Sequence, residues 1–486
     1  MGGYSVPVLL QRCMSILLLP VYTHFLRPKD YGILDLLDLF GNIVAALVGL
    51  RLGQGLFYFY FHANDRDDRS RFVVSALMGS ITIGVLTAMA TFLAAPALSG
   101  VVLGDSSYAG LFRIFVVGFS ASLPLEFGFC YLRVAERPKA FTVLATLRLV
   151  AALCLNIVFL AIFHLGAASM LWSNVLVNLA LTVLMAGIIF SDHGLRVGRR
   201  HFIELIRYSA PLGISSLGEL GLHFGDRIFL RPNVSLSLLG IYGLAYKMGM
   251  LVAVASGPLF FTYWNAQMVA IVKAPNGEWI YRRTATYLFL GLGYCALLVT
   301  VFAHAVLRVA VAPDYWPAAR LIPWIALAYV IRGMGSYFLN TFLLVKRSAE
   351  FARITWIGTA TCLGLYALLI PHFKLWGAVT ATLIGFSMTF VVGLWRSERQ
   401  RPFHYEYRRW IKIVIAAAIV LVPFELLYPQ TLWLEIAAGT AAAVGFPLVV
   451  VLLGVLDEHE WETLKRAWSM VANRMRTSRR EPVGIA

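Results

Sequence analysis

Twelve ionisable residues stand inside stretches that are otherwise apolar: Arg12, Asp35, Asp38, Arg51, Arg113, Glu126, Arg148, Glu219, Asp226, Arg227, Lys247 and Arg332. A charge at the centre of a bilayer costs on the order of 3 kcal/mol on insertion scales, so such residues face a wet cavity or a partner. Their spacing is informative. Ser215, Glu219, His223 and Asp226 fall on one helical face, and Tyr242, Tyr246 and Lys247 cluster at i, i+4 and i+5. Seven of the twelve are basic and five acidic. That balance suits an anionic headgroup such as a diphosphate, which a guanidinium grips with two parallel N–H donors. Arg12, Arg51, Arg148, Lys247 and Arg332 are therefore the candidate headgroup ligands. Glu219, Asp226 and Asp35 are the candidates to carry a coupling ion, a proton or sodium, with Glu219 nearer mid-depth than Asp226. A competing reading pairs the charges internally, Arg12 with Glu219 or Lys247 with Asp35. Arg113, Arg227 and Asp38 fall towards an outer interface, where snorkelling accounts for them.

The elements that must position these groups are membrane helices. Of 486 residues, 59% are apolar and 14% charged, and the mean hydropathy is +0.76. Soluble chains are nearer half apolar and a quarter charged. Fourteen spans of about 20 residues are expected, near 4–26, 33–60, 72–98, 110–132, 140–163, 168–190, 208–230, 238–262, 285–307, 321–345, 354–371, 376–395, 413–429 and 432–455. With the N-terminus inside, 28 of the 41 Lys and Arg fall in the inner loops and tail, against six in the outer loops. This bias predicts both ends on the cytoplasmic side. It also accounts for the formal charge of +16, so no nucleic-acid partner is expected. The five cysteines sit inside spans without CxxC spacing, which reads as packing. No cleavable leader or myristoylation signal is expected at the start. No large loop projects from the outer side. In the tail, Trp461, Leu464, Trp468, Val471 and Met475 share one helical face ringed by basic residues, as in a helix lying on anionic lipid.

The chain also echoes itself. YSVPVLLQRCMSILLLPVYTHFLRP at 4–28 matches YSAPLGISSLGELGLHFGDRIFLRP at 208–232 in eight of 25 positions. At an offset of 211, Tyr31-Gly32-Ile33 meets Tyr242-Gly243-Leu244, and Gly166-Ala167 meets Gly377-Ala378, with no gap needed from 131 to 167. The expected architecture is an all-α polytopic membrane protein of two pseudo-symmetric six-helix lobes plus two C-terminal helices. The divisions are 1–190 for the first lobe, 191–207 for a cytoplasmic linker, 208–397 for the second lobe, 398–456 for the extra pair and 457–486 for the basic tail. Six is even, so the lobes are parallel repeats about an axis along the membrane normal, an arrangement that suits a carrier.

The stretches PVYTHFLRPKDYGILDL at 20–36, YLRVAERPKAF at 131–141, YSAPLGISSLGELGLHFGDRIFL at 208–230 and LLGIYGLAYKMGML at 238–251 resemble the Wzx-type polysaccharide flippases of the MOP superfamily. That superfamily also holds lipid II flippases and MATE drug exporters. The resemblance covers about 400 residues. It implies a flippase, not an enzyme, that moves undecaprenyl-diphosphate-linked oligosaccharide (an O-antigen, capsule or exopolysaccharide unit) across the bacterial inner membrane. Membrane lipids, a polysaccharide polymerase and a chain-length regulator are the implied partners, and no cofactor is implied. The last two helices resemble the extra pair that lines a lipid-tail groove in lipid II flippases.

Three other readings stay open on the residues alone. A lipid II flippase would also bind a lipid diphosphate. A MATE-like exporter would need a cavity for cationic drugs, against the basic balance. A membrane glycosyltransferase or polymerase draws support from Asp65-x-Asp67, a DxD metal pattern, although no Walker loop, HExxH or nucleophile–base arrangement accompanies it.

Overall fold

The computed structural model describes residues 19–48, 52–63, 65–254, 257, 260–345, 347–427, 431–455, 457 and 460. Arg12, Arg51, Cys13 and the amphipathic tail helix lie outside them, as do the side chains of Ser215 and Glu219. All regular structure among the described residues is helical. In the first half these are α1 (Leu19–Phe25), α2 (Pro28–Val48), α3 (Leu52–His62), α4 (Arg66–Leu93), α5 (Ala95–Val102), α6 (Ala109–Val134), α7 (Pro138–Ile157) and α8 (Ala167–His193). Then follow α9 (Arg199–Phe224), α10 (Asp226–Asn233), α11 (Leu236–Gly249), α12 (Leu251–Val254), α13 (Thr262–Lys273), α14 (Gly277–Ala310) and α15 (Ile322–Leu344). The chain closes with α16 (Ser348–Gln400), α17 (Tyr407–Leu427) and α18 (Leu432–Leu452). Nine of the described helical runs are long and apolar enough to cross a membrane, and α16 is itself two helices joined at Lys374, whose φ of 51° breaks the run.

Several boundaries differ from the expected spans, for local reasons. The stretch 33–60 is two helices, α2 and α3. α4 begins earlier than expected because Asp65 caps it, accepting the Asp68 N–H at 2.6 Å. The DxD motif is spent in the same way. Asp67 pairs with Arg71 at 3.0 Å and with Arg196, and Asp68 with His201 at 2.7 Å. Among the described residues no group of three or more His, Cys, Asp and Glu could hold a metal.

The repeat is visible in the backbone, though not in the register expected from the letters. The turns after α6 and α15 match: the Arg137 N–H bonds the Leu132 carbonyl at 2.9 Å, and the Arg347 N–H bonds the Phe342 carbonyl at 2.8 Å. The helix starts that follow also match, Gly166 at φ 56°, ψ −134° and Lys374 at φ 51°, ψ −123°. These pairs lie at offsets of 210 and 208, so the gapless match at 211 does not hold. The first copy is longer between the two points, and it carries a π-helical turn at Val158–Ile162. A π turn holds one residue more than an α turn, so it takes up one of the two extra residues.

Apolar packing falls into separate clusters. One is built from residues 52–189 of the first lobe together with Leu205 at the start of α9. Another joins Tyr31, Ile33, Leu36 and Leu37 of α2 to the second lobe. A third packs α14 against α17 and α18, which docks the extra helix pair on the flank of the second lobe. Exposed tryptophans mark two levels: Trp172, Trp316, Trp324 and Trp376 at one end of the spans, Trp279, Trp356 and Trp395 at the other. Two such belts are what bilayer interfaces select.

At the second of these levels a charge cluster fastens the chain beyond α18. Arg283 on α14, only 8% exposed, ion-pairs with Glu406 at 3.0 Å, Glu460 at 3.1 Å and Asp457. Arg409 on α17 reaches Glu460 at 3.2 Å and Asp457 as well. Burial raises both tail carboxyls, but the Arg283 and Arg409 guanidiniums outweigh it at Asp457, and the Tyr287 hydroxyl and Asp457 N–H together with those guanidiniums outweigh it at Glu460, holding both below the usual carboxylate range. A depressed folded-state pKa stabilises above the ordinary value and is lost as pH falls through the folded one. Arg283→Gln is therefore expected to lower the unfolding temperature at pH 7, by less than the roughly 3 kcal/mol of a fully buried pair because Asp457 is half exposed and screened by water. The gap between variant and parent should close below about pH 4. Thermal unfolding in a pH series measures both, and a gap that does not change with pH would refute the clamp.

Candidate functional site

The hydrogen bonds that tie the two lobes together gather at one end of the fold. Thr23 donates to the Ala310 carbonyl at 3.4 Å, Tyr315 to the Leu26 carbonyl at 3.1 Å, and Arg231 to the Leu103 carbonyl at 2.9 Å. Here α2 and α11 lie backbone against backbone. A Cβ on Gly240 would fall 1.9 Å from the Pro28 carbonyl oxygen, and one on Gly32 would fall 2.1 Å from that of Leu236. Only glycine permits this approach, as in close helix pairs within membranes.

Just inside the seam sits a buried ionic group shared by both lobes. Arg227 on α10 is 2% exposed. Its Nε donates to Asp35 Oδ2 on α2 at 2.7 Å and its Nη1 to Asp226 Oδ1 at 3.0 Å. Asp226 also accepts the Arg227 backbone N–H at 2.9 Å and the Tyr242 hydroxyl. Tyr246 packs its ring 4.5 Å from the guanidinium and donates its hydroxyl to the His223 carbonyl at 2.8 Å. One cation thus satisfies two buried carboxylates, the arrangement that makes a buried charge tolerable.

Arg227 does not snorkel, contrary to the expectation from its position near a span end. The helix changes at Gly225, where a Cβ would meet the Gly221 carbonyl oxygen at 2.4 Å. α10 starts afresh at Asp226 and turns Arg227 inward. Asp226 likewise leaves the polar stripe of α9, and its carboxylate is taken up by Arg227 and Tyr242. Asp35 pairs with Arg227 rather than with Lys247.

Lys247 is placed differently. Every α11 residue from Leu239 to Tyr246 is buried, as are Met248 and Gly249, whereas Lys247 is exposed. Its Nζ lies 4.5 Å from the centre of the Tyr31 ring on the other lobe. It feels the fields of Asp38, also exposed, and of Asp35. Within this buried stretch of α11 the Lys247 side chain alone is exposed, and it lies against Tyr31 of the other lobe, just inside the seam.

The seam therefore brings together Asp35, Asp226 and Lys247 of the candidate residues and adds Arg227. Arg148 stands apart in the first lobe, paired with Glu126 at 2.7 Å and stacked over Phe129. Arg332 stands within the second lobe, over the Phe386 ring, in a pocket of about 70 Å³ bordered by Ser336, Thr355 and Thr389.

A larger hollow, about 720 Å³, runs along the flank of the second lobe between α14, α15 and α17. Gly293, Ala296 and Ala417 form part of its apolar wall, and His304, Arg320 and Glu425 supply its polar groups.

A model of the family described as polysaccharide biosynthesis protein matches residues 4–262. An uncharacterised membrane protein of Methanocaldococcus jannaschii is 23% identical over 128 residues, 26% of this chain and 25% of that one, so the match spans only a quarter of that relative. Among solved structures, the lipid II flippase MurJ in an inward closed conformation is similar with a TM-score of 0.74 at 11% identity, over 92% of this chain and 98% of that one. An inward-facing multidrug resistance MATE family transporter of the MOP superfamily is similar with a TM-score of 0.65 at 16% identity, over 82% and 97%. At these identities the likeness shows the fold.

Proposed function

Since the chain belongs to the polysaccharide biosynthesis protein family, we propose that it is a flippase carrying a lipid-linked oligosaccharide across a membrane by alternating access between its two lobes. Family and fold place it among transporters rather than enzymes. The observation that carries the reading is the seam: two lobes closed at one end over a buried Arg227–Asp35 pair, with the accessible cation Lys247 directly inside. A cargo with a diphosphate headgroup would enter from the end away from the seam once Tyr58 and Tyr208, stacked there across the lobes, separate, meet Lys247 and leave when the seam parts. Its lipid tail would stay in the bilayer throughout.

The finer reading is an undecaprenyl-diphosphate-linked O-antigen, capsule or exopolysaccharide unit, moved across a bacterial inner membrane with both chain ends cytoplasmic and the seam at the outer face. Arg12, Arg51 and Arg332 supply further positive charge along the route, Arg148 being already answered by Glu126, and Asp35, Asp226 or Glu219 takes the coupling ion. The two lobes are residues 1–190 and 208–397, joined by 191–207 and followed by the pair at 398–456.

The decisive experiment measures the leaflet distribution of lipid-linked oligosaccharide in cells with and without the protein. Fully assembled oligosaccharide trapped on the cytoplasmic leaflet in its absence is the expected result. Truncated sugars would instead indicate an enzyme, and altered drug sensitivity with an unchanged distribution would indicate an exporter. Within that assay, Lys247→Gln is expected to reduce transport about tenfold or more, the value of one charge-assisted contact, without altering the unfolding temperature. Unimpaired transport would remove Lys247 from the headgroup site.

A further inference from the structure

We propose that the flank hollow is a binding site for one zwitterionic, primary-amine phospholipid of the leaflet at the seam end, separate from the path between the lobes. The shape is that of a lipid slot. Its wall on α14 runs from Phe289 to His304 along one face, about 22 Å at 1.5 Å per residue. α17 supplies a matching wall from Ile413 to Glu425. The slot lies on the outside of the lobe, where acyl chains are the surrounding medium. Its volume of 720 Å³ is well within the range of pockets that hold whole small molecules.

The chemistry of one end selects the headgroup. Arg320 and Glu425 both line the hollow there, on different walls, beside Trp324 and Trp376 of the interfacial belt. Both are exposed, and neither has an ion-pair partner among the described residues. Opposite charges that share one mouth without pairing leave room for a group bearing both signs. Behind them lies Glu435, 4% exposed, whose Oε1 takes His304 at 2.9 Å and Arg308 at 3.0 Å while Oε2 has no hydrogen-bond partner. A phosphate against Arg320 and an ammonium directed at Glu425 would complete the set. A prenyl diphosphate fits this mouth poorly. It brings two or more negative charges and no cation to a mouth where Glu425 would be left without a counter-charge.

The test uses the full-length protein in nanodiscs made with equal parts phosphatidylethanolamine, phosphatidylcholine and phosphatidylglycerol, followed by gentle detergent extraction and native mass spectrometry. One retained phosphatidylethanolamine per chain is the expected result. Glu425→Gln should cut its retention about tenfold and erase the preference for a primary amine over choline; Arg320→Gln should weaken retention of all three lipids. Ala417→Trp, which fills the slot, should abolish retention in every case. Unfolding temperatures identify any variant that fails to fold, and Glu425→Gln and Arg320→Gln, on exposed side chains, keep the test alive if Ala417→Trp does so. Equal retention of phosphatidylglycerol would overturn the headgroup assignment. Displacement of the bound phospholipid by added polyprenyl phosphate would overturn the proposal, assigning the slot to the tail of the cargo. No transport is read here, so failure of the flippase reading leaves the result intact.

Discussion

Replacing Arg227 with Gln is expected to part the seam and stop transport while leaving each lobe folded. The guanidinium is the counter-charge of two buried carboxylates, Asp35 on the first lobe and Asp226 on the second. Removing one member of such a group costs about 3–5 kcal/mol, because the remaining charges are stranded away from water. Asp226 keeps its bond from Tyr242, so the heavier loss falls on Asp35, which faces the seam. Asp35 regains water only if α2 separates from α10 and α11. The cost therefore falls on the closed state and not on the open one. A shift of roughly 5.5 kcal/mol takes a two-state equilibrium from 1:99 to 99:1, so 3–5 kcal/mol is enough to change which state dominates.

Spin labels placed by Lys29→Cys and Leu238→Cys, on a background that keeps only the buried Cys362 of the native cysteines, flank the seam on exposed positions and report its width. Arg227→Gln should move most of the distance distribution outward. Adding Asp35→Asn, which removes the stranded charge, should bring part of it back. An unshifted distribution in Arg227→Gln would mean the ion pair is not what holds the seam shut.

Arg227 also shows where sequence reasoning stops. Hydropathy and loop charge were enough for the helical fold, because both follow from what a bilayer tolerates at each depth and need no knowledge of neighbours. Asp35, Asp226 and Lys247 were legible as candidates for the same reason: a charge in an apolar span is conspicuous. Their partners were not legible. Arg227 lies near a span end, where a snorkelling arginine is the ordinary case, and its inward turn depends on the close packing at Gly225. The repeat was legible in FLRP and YS-x-P, but its register past residue 131 was not: the offset is already 210 at the turn after α6 and 208 at Gly166, across a stretch holding a π turn that no letter announces. The flank slot is closed by packing α17 on α14 and α15 across the whole length of α16, so no local pattern could show it. The basic balance over-read the site as well. Of the five described basic members of the twelve, Arg148 and Arg227 are neutralised by acids, Arg113 and Arg332 lie elsewhere over Phe92 and Phe386, and Lys247 is the accessible cation next to the seam.

Gly240→Val supplies the complementary test, because it acts on the same seam by sterics instead of charge. The new Cβ would lie 1.9 Å from the Pro28 carbonyl oxygen and 2.9 Å from the Gly32 amide, both backbone atoms that cannot rotate aside. The opposing atoms belong to the other lobe, so the clash is relieved by moving the lobes apart as rigid bodies. Gly385→Val makes the contrast. There the Cβ would meet Cys362 Sγ at 1.9 Å, between the two halves of α16 inside one lobe, where no rigid-body motion helps and overpacking costs about 1–3 kcal/mol or more. Gly240→Val should widen the Lys29→Cys–Leu238→Cys distance with little change in unfolding temperature, and transport should fall because the cycle can no longer return. Gly385→Val should lower the unfolding temperature and leave the distance unchanged. If Gly240→Val instead destabilises the protein without widening the seam, α2 and α11 are parts of one packed body, and the motion that exposes the interior must run along a different boundary.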